Sequence, residues 1–386
     1  MRPTSAVVDL EALSANAAEL ARRAAPAELC AVVKADGYGH GSVAAGRAAL
    51  AGGAGWLAVA LVEEGVELRE AGVTAPILLL SEPRPNEMVE VVAHGLRPSV
   101  YSPAGLAAAS AAASAAARRL PVHLKVDTGM NRVGAHPDDA LLLARAVAAK
   151  DDLVLDGVWT HCAVADELDN PFTDEQLGRY EQVLGLLASE GAAPGRFRRH
   201  AANSALLLSA GRPDASPIRR RGRYDMVRVG IALYGLSPGA GLAGDLAGLR
   251  PVMGLRTEVS YVKTVRAGEA VSYGLAHRFE SDRRVATVPI GYADGARRDY
   301  GLRGGQVLIR GRRRAVVGSV TMDQLMVDCG ADEGASGEGV AAGDEVVLIG
   351  EQGAESIGAE EIAARLGTIP YEVVCDVGRR VRRHYR

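Results

Sequence analysis

Ala31-Val32-Val33-Lys34-Ala35-Asp36-Gly37-Tyr38-Gly39-His40-Gly41 is an apolar run that ends on a lysine and then breaks into glycines. It reads as a short buried strand, Ala31–Lys34, running into a glycine-rich turn. A lysine there is costly to bury unless its amine is used or paired. Taken alone, such a lysine is more often an ion-pair partner than a nucleophile. The glycines shift that balance, because they let backbone approach a bound group closely. An amphipathic segment, Ser42–Ala51, follows at once, so the order is strand, turn, helix.

Outward from this stretch the same order recurs. Further strand candidates are Trp56–Leu61, Ile77–Leu80, Pro98–Tyr101, Val122–Val126, Gly157–His161, Phe197–His200 and Met226–Val229. Helical segments such as Glu63–Ala71, Leu141–Ala149 and Gln176–Ser189 lie between them. Eight strands alternating with helices predict a parallel (β/α)8 TIM-like barrel. An open doubly wound sheet is the alternative, but no GxGxxG follows an early strand. Barrel enzymes carry function at the C-terminal ends of their strands. Lys34, Lys125, His161 and His200 sit near four such ends, and Arg228 falls within the last strand.

After Gly235 the texture changes. A Gly/Ser/Pro/Ala-rich stretch, Ser237–Gly248, precedes the β-type runs Val259–Val265, Val285–Ile290, Val307–Ile309, Ala315–Val320 and Val346–Ile349, with one clear helix at Ala359–Leu366. The expected organisation is a barrel over residues 11–240 and a C-terminal mostly-β domain over 241–386. A strand within residues 1–10 is one too many for the barrel and is expected to join the β-domain.

Composition bounds the function. The 386 residues are 48% hydrophobic and 24% charged with a net charge of −3, which is globular and argues against a nucleic-acid surface. Cys30, Cys162, Cys329 and Cys375 are scattered without a CxxC pair, which suits reduced thiols better than zinc ligands or disulfides. No leader pattern or membrane-length apolar run is visible, so a soluble cytoplasmic protein is expected. Ala104–Ala117 is alanine and serine with few large side chains and reads as a solvent-facing helix. Arg379–Arg386 reads as a frayed end. Only four of the 44 basic residues are lysine: Lys34, Lys125, Lys150 and Lys263. An amine that can deprotonate is something arginine cannot supply.

The Ala31–Gly41 stretch resembles the pyridoxal-phosphate attachment site of alanine racemases. Eight further elements follow in that family's order: Lys125-Val-Asp-Thr-Gly-Met-Asn-Arg132, Thr160-His161-Cys-Ala-Val-Ala-Asp166-Glu, His200-Ala-Ala-Asn203-Ser204, Val227-Arg228-Val-Gly230-Ile231, Val271-Ser-Tyr273-Gly, Ile290-Gly-Tyr292-Ala-Asp294-Gly, Met322-Asp323-Gln and Ile369-Pro-Tyr371-Glu. The likeness runs from about residue 6 to 385. It implies an isomerase that interconverts L-alanine and D-alanine for peptidoglycan, with pyridoxal 5'-phosphate as cofactor. It also implies a cytoplasmic homodimer with shared active sites.

By this resemblance Lys34 holds the cofactor and is one catalytic base, and Tyr273 of a partner subunit is the other. Two are needed because racemisation removes a proton from one face of a carbon and returns one to the opposite face. Ionising a tyrosine near neutral pH takes about 4 kcal/mol of electrostatic help, for which His161 and Arg228 are the implied sources. Arg228 is also implied at the pyridine nitrogen. Tyr38, Ser204, Tyr371 and the amides of Gly230 and Ile231 are implied at the phosphate. Arg132 is implied at the ring oxygen and substrate carboxylate, Met322 at that carboxylate, and Asn203 and His200 close by. Lys125 is implied to carry a carbamate, with an ordinary cationic lysine or a bound anion as the alternative. Asp166, Tyr292, Arg298 and Ser319 are implied at the entrance, where many relatives have arginine in place of Ser319. His94, His123, His136, His277 and His384 read as structural or surface residues. Pro213–Arg223 is expected as an exposed loop. The rival readings are a broad-specificity amino-acid racemase, a barrel-type amino-acid decarboxylase and a noncatalytic cofactor carrier.

Overall fold

The structure is a computed structural model that describes residues 2–190, 195–331 and 339–386. Contacts divide the chain into two units. One is Glu11–Gly37 with Gly41–Arg250; the other is Met1–Leu10, Tyr38–His40 and Pro251–Arg386.

With strands numbered along the chain, β1 is Ser5–Val8 and belongs to the second unit. The first unit holds β2 (Glu28–Val32), β3 (Trp56–Val59), β4 (Ile77–Leu79), β5 (Arg97–Val100), β6 (Leu120–Lys125), β7 (Leu153–Trp159), β8 (Arg198–His200) and β9 (Met226–Val229). They pair in parallel in the order β8-β7-β6-β5-β4-β3-β2-β9. Between β8 and β9 the Asp225 amide donates to the Arg199 carbonyl at 3.0 Å and the Arg228 amide to the Ala202 carbonyl at 2.8 Å. The eight strands therefore form a nearly closed barrel. Strands buried on both faces need no polar alternation, which is why β3 and β4 are wholly apolar and wholly buried.

Two surface expectations fail in this unit. Pro103–Ala115 is helical, with the Ser102 hydroxyl accepting the Gly105 amide at 2.9 Å, but it is not simply solvent-facing. Leu106, Ala109, Ser110 and Ala113 form a buried stripe, since small side chains let a helix approach its neighbours closely. Pro213–Arg223 is not an exposed loop throughout. Pro217–Arg221 is a helical turn capped by Ser216, and Arg219 is buried. Arg219 pairs with Asp174 at 2.7 Å and donates to the carbonyls of Leu168 and Asn170. Residues 241–250 also sit with the barrel unit, where Asp245 pairs with Arg212 at 2.9 Å and its carbonyl accepts from Arg23.

In the second unit β1 lies between two strands. It pairs antiparallel with Met253–Glu258 and parallel with Arg382–Tyr385. The C-terminal residues are thus an ordered strand rather than a frayed end. Arg383 anchors them by donating to the carbonyls of Gly39, Val377, Gly378 and Val381 at 2.6–3.0 Å. Gly39 is a glycine for two reasons: its φ is +79°, and a Cβ would stand 2.3 Å from the Val374 carbonyl oxygen. Among the described residues no helix is long and apolar enough to cross a membrane.

Candidate active site

Lys34 stands two residues beyond β2, at the rim where the barrel strands end. The chain then takes four successive left-handed residues, Ala35 to Tyr38, with φ between 52° and 60°. For the non-glycine residues each such conformation costs roughly 1 kcal/mol, so the turn must be held from outside. Asp36 Oδ1 accepts the Ser42 amide at 3.0 Å, and the Gly41 amide reaches the Asp36 carbonyl at 2.8 Å. Glu64 accepts the amide of Ala35 at 2.5 Å with one oxygen and those of Ala60 and Leu61 with the other. Strain over-determined in this way is characteristic of functional sites.

Around the rim the charge is strongly positive. Lys125 ends β6 and is buried, with Nζ 4.5 Å above the Trp159 ring. Burial first, then Arg228 and Arg132, push its amine down to about 8. Arg228 on β9 is buried with its guanidinium carbon 4.5 Å from the same indole. Burial brings it down to about 10, which still leaves it cationic at neutral pH. Its Nη2 donates to the Thr160 carbonyl at 2.8 Å and reaches His161 Nδ1 at 3.3 Å. His161 is held well below its ordinary value by burial and then by Arg228, Lys125, Arg132 and Lys34, so it is neutral. Arg132 is exposed on a loop shaped by Asp127 Oδ1, which accepts the amides of Gly129 and Asn131. Four cations from separate elements thus converge on one histidine.

The Ser204 hydroxyl oxygen accepts the amides of Gly230 at 3.0 Å and Ala232 at 3.4 Å, which leaves its own O–H to donate to an anion such as a phosphate. Asn203 has a structural duty: its side-chain oxygen caps the helix Ser204–Ala210 through the Leu206 amide at 2.9 Å. His200 lies fully buried beneath the rim, bonded to Arg228 Nη1 at 2.9 Å. Asp166 is exposed on the barrel unit.

The second unit carries the other expected residues. The Tyr38 and Tyr371 rings are 6.1 Å apart. Tyr273, Tyr292, Arg298 and Met322 are exposed. Ser319 is buried, with its carbonyl accepting the Ser272 hydroxyl. The Tyr292 amide donates to the Thr321 carbonyl and the Val320 amide to the Arg298 carbonyl, so the 290–298 and 318–322 loops are laced together.

Residues 8–238 match the alanine racemase N-terminal domain, and residues 252–385 match the alanine racemase C-terminal domain. The chain belongs to the alanine racemase family. It is 47% identical to an alanine racemase of Symbiobacterium thermophilum, covering 100% of this chain and 97% of that one. It is 45% identical to one from Thermobifida fusca, with coverage of 98% and 96%. The crystal structure of alanine racemase from D-cycloserine-producing Streptomyces lavendulae superposes with a TM-score of 0.90 at 39% identity, covering 100% and 97%. The Bacillus anthracis alanine racemase with bound L-Ala-P superposes with a TM-score of 0.89 at 34% identity, covering 100% and 95%. The alanine racemase family is pyridoxal-phosphate-dependent.

The residues present fit such a cofactor. A planar, multiply anionic ring matches a rim with four cations, a neutral histidine and a hydroxyl-amide cluster. Sequence reasoning missed Trp159, the shelf beneath both Lys125 and Arg228, and Glu64, which braces the Lys34 turn. Trp159 had a legible signal, since it lies within the strand candidate Gly157–His161 that ends on His161; in the structure it is the last residue of β7. Nothing in the sequence marks Glu64.

Proposed function

We propose that this chain interconverts L-alanine and D-alanine with pyridoxal 5'-phosphate, using Lys34 and a partner subunit's Tyr273 as opposed bases. The observation that carries the reading is Lys125 and Arg228 standing 4.5 Å from one Trp159 ring, with Arg228 3.3 Å from His161, at the barrel rim where the strained turn after Lys34 also lies. Lys34 would hold the cofactor covalently, Arg132 its ring oxygen, Arg228 its ring nitrogen, and Ser204 with Gly230 and Ile231 its phosphate. Tyr38 and Tyr371 are assigned to the phosphate by family likeness. When bound to an amino acid, this cofactor draws electron density from the α-carbon and acidifies its hydrogen.

The protein's share of the work is proton handling. Lys34 would take or return a proton through its amine on one face. Tyr273 does so through its hydroxyl on the other, and each enantiomer thereby meets its own base. Arg132 and the Met322 amide would orient the substrate carboxylate. Arg228 would face the ring as a permanent cation, so it would not favour a protonated ring nitrogen as a carboxylate would, which would suit proton exchange at the α-carbon better than decarboxylation or transamination. The product D-alanine would supply peptidoglycan.

Incubating the cofactor-loaded protein with L-alanine, and measuring D-alanine and CO2 together, tests this reading. D-alanine without CO2 is the expected result. CO2 without D-alanine would establish a decarboxylase, and neither product would leave a carrier.

A further inference from the structure

Behind Arg228 a line of polar groups crosses the barrel interior, and the reaction as described does not use it. Arg228 Nη1 bonds His200 Nδ1 at 2.9 Å, and His200 Nε2 bonds His123 Nδ1 at 2.9 Å. His123 Nε2 then stands 3.4 Å from Asp156 Oδ2, a long contact at the far end. Both imidazoles are fully buried. Among the described residues no carboxylate lies within 4.0 Å of the Arg228 guanidinium, although a buried cation ordinarily demands one.

The direction of the two hydrogen bonds in this line is fixed, and among the described residues His123 Nε2 makes no hydrogen bond of its own at the far end. A guanidinium can only donate, so His200 Nδ1 must accept and the His200 proton must sit on Nε2. That proton can only be given to His123 Nδ1, which places the His123 proton on Nε2, facing Asp156. Burial lowers both histidines, His200 well below its ordinary value under the added charge of Arg228, so both are neutral. Partial desolvation opposes ionisation of Asp156. The nearby His123 ring and the charges of Arg198 at 3.0 Å and Arg97 at 3.7 Å outweigh that and keep it a carboxylate. The result is a cation at one end, a carboxylate already paired with Arg198 and Arg97 at the other, and two neutral rings whose N–H groups point the same way.

The barrel makes room for this line. Gly157 on β7 pairs opposite His123, and a Cβ there would stand 2.2 Å from His123 Nδ1. The β6–β7 register shifts between Val122 and His123 at the same place. Trp159 stacks on His200 at 5.7 Å with an interplanar angle of 9°, and Trp56 meets His123 edge-on at 5.6 Å.

We propose that His123 and Asp156 are positioning residues for Arg228, fixing the orientation of the buried guanidinium through His200. Arg228's task toward the cofactor rests on the proposed function; the hydrogen-bond line does not. Magnetic resonance of the holoenzyme labelled with 15N-histidine should show protonated Nε2 and bare Nδ1 on both rings, with a coupling from His200 Nε2 to His123 Nδ1 across the shared proton. His123→Leu should lower kcat for alanine about tenfold, the usual scale for a residue supporting a functional group, and shift the absorption of the bound cofactor at little change in KM. His123→Asn should recover part of that loss, because its carboxamide oxygen can accept from His200. Asp156→Asn, at the partly exposed end, tests the same line without emptying the core and should lower kcat in the same direction. A protonated Nδ1 on either ring, or variants with wild-type kcat and absorption, would overturn the proposal. Wild-type protein that shows the coupling but does not racemise alanine would sink the functional reading alone.

Discussion

Lys125 shows how one residue's surroundings set its chemistry. An unperturbed lysine at pH 7.5 is neutral about once in a thousand, whereas one near 8 is neutral roughly a quarter of the time. Only the neutral amine adds CO2, forming an N–C bond and releasing a proton. The anion so made would lie near Arg132 and Arg228 and remove the repulsion that depresses the amine. Supplying 13C-bicarbonate should therefore give a carbamate carbonyl signal that is lost in Lys125→Ala, and a spectrum without that signal would refute the modification. The unmodified amine has a pH signature too. Its folded value lies below its value of 10.5 when unfolded, so between about 8 and 10.5 the unfolded chain binds more protons. Stability in CO2-free buffer should then rise with pH across that window, with the full penalty present below it. His123 marks the limit of reading at this scale. It sits two residues before Lys125 on β6, and strand parity alone places both on one face. What parity could not give is the partner on the next strand but one, because His200 is 77 residues away.

At the scale of elements, what was legible depended on whether local sequence or a distant partner supplies the order. Most barrel strands were visible because buried parallel strands are short apolar runs with glycine or polar punctuation, whereas Arg198–His200 was placed by its position in the strand–helix alternation. Met253–Glu258 was missed because its burial alternates and four of its six residues are polar or glycine. Arg382–Tyr385 was missed because Arg-Arg-His-Tyr has no apolar pattern at all. Its order comes from β1, through a parallel register from Ser5–Arg382 to Val8–Tyr385, and from the four carbonyls that Arg383 caps. Deleting residues 382–386 should therefore expose one edge of β1 and destabilise the protein by on the order of 3 kcal/mol, since several backbone bonds are lost together. Urea unfolding followed by far-ultraviolet circular dichroism measures this. An unchanged midpoint would mean that the strand is decorative.

At the scale of the whole molecule, the second unit's surface is the feature that needs a partner. Tyr273 is 70% exposed, Leu275 62%, Met322 52% and Tyr292 44%, and the backbone bonds between the 290–298 and 318–322 loops bring the last two together. Large apolar side chains grouped on a surface mark an interaction site more often than they mark solvent. If that partner is a second copy, a two-fold dimer has two equivalent sites, each taking Lys34 from one chain and Tyr273 from the other. Lys34→Ala and Tyr273→Phe homodimers should then each be nearly inactive, since every site in them lacks a base. Unfolded together in equal amounts and refolded, the two variants should form hybrids in which one site bears both substitutions and the other bears neither. Random mixing makes half of the dimers hybrid, each with one intact site of two, so roughly a quarter of wild-type specific activity should return. Differently tagged chains, recovered through both tags, show whether hybrids formed. Hybrids that form and stay inactive would place both bases in one chain, and the shared site would have to be given up.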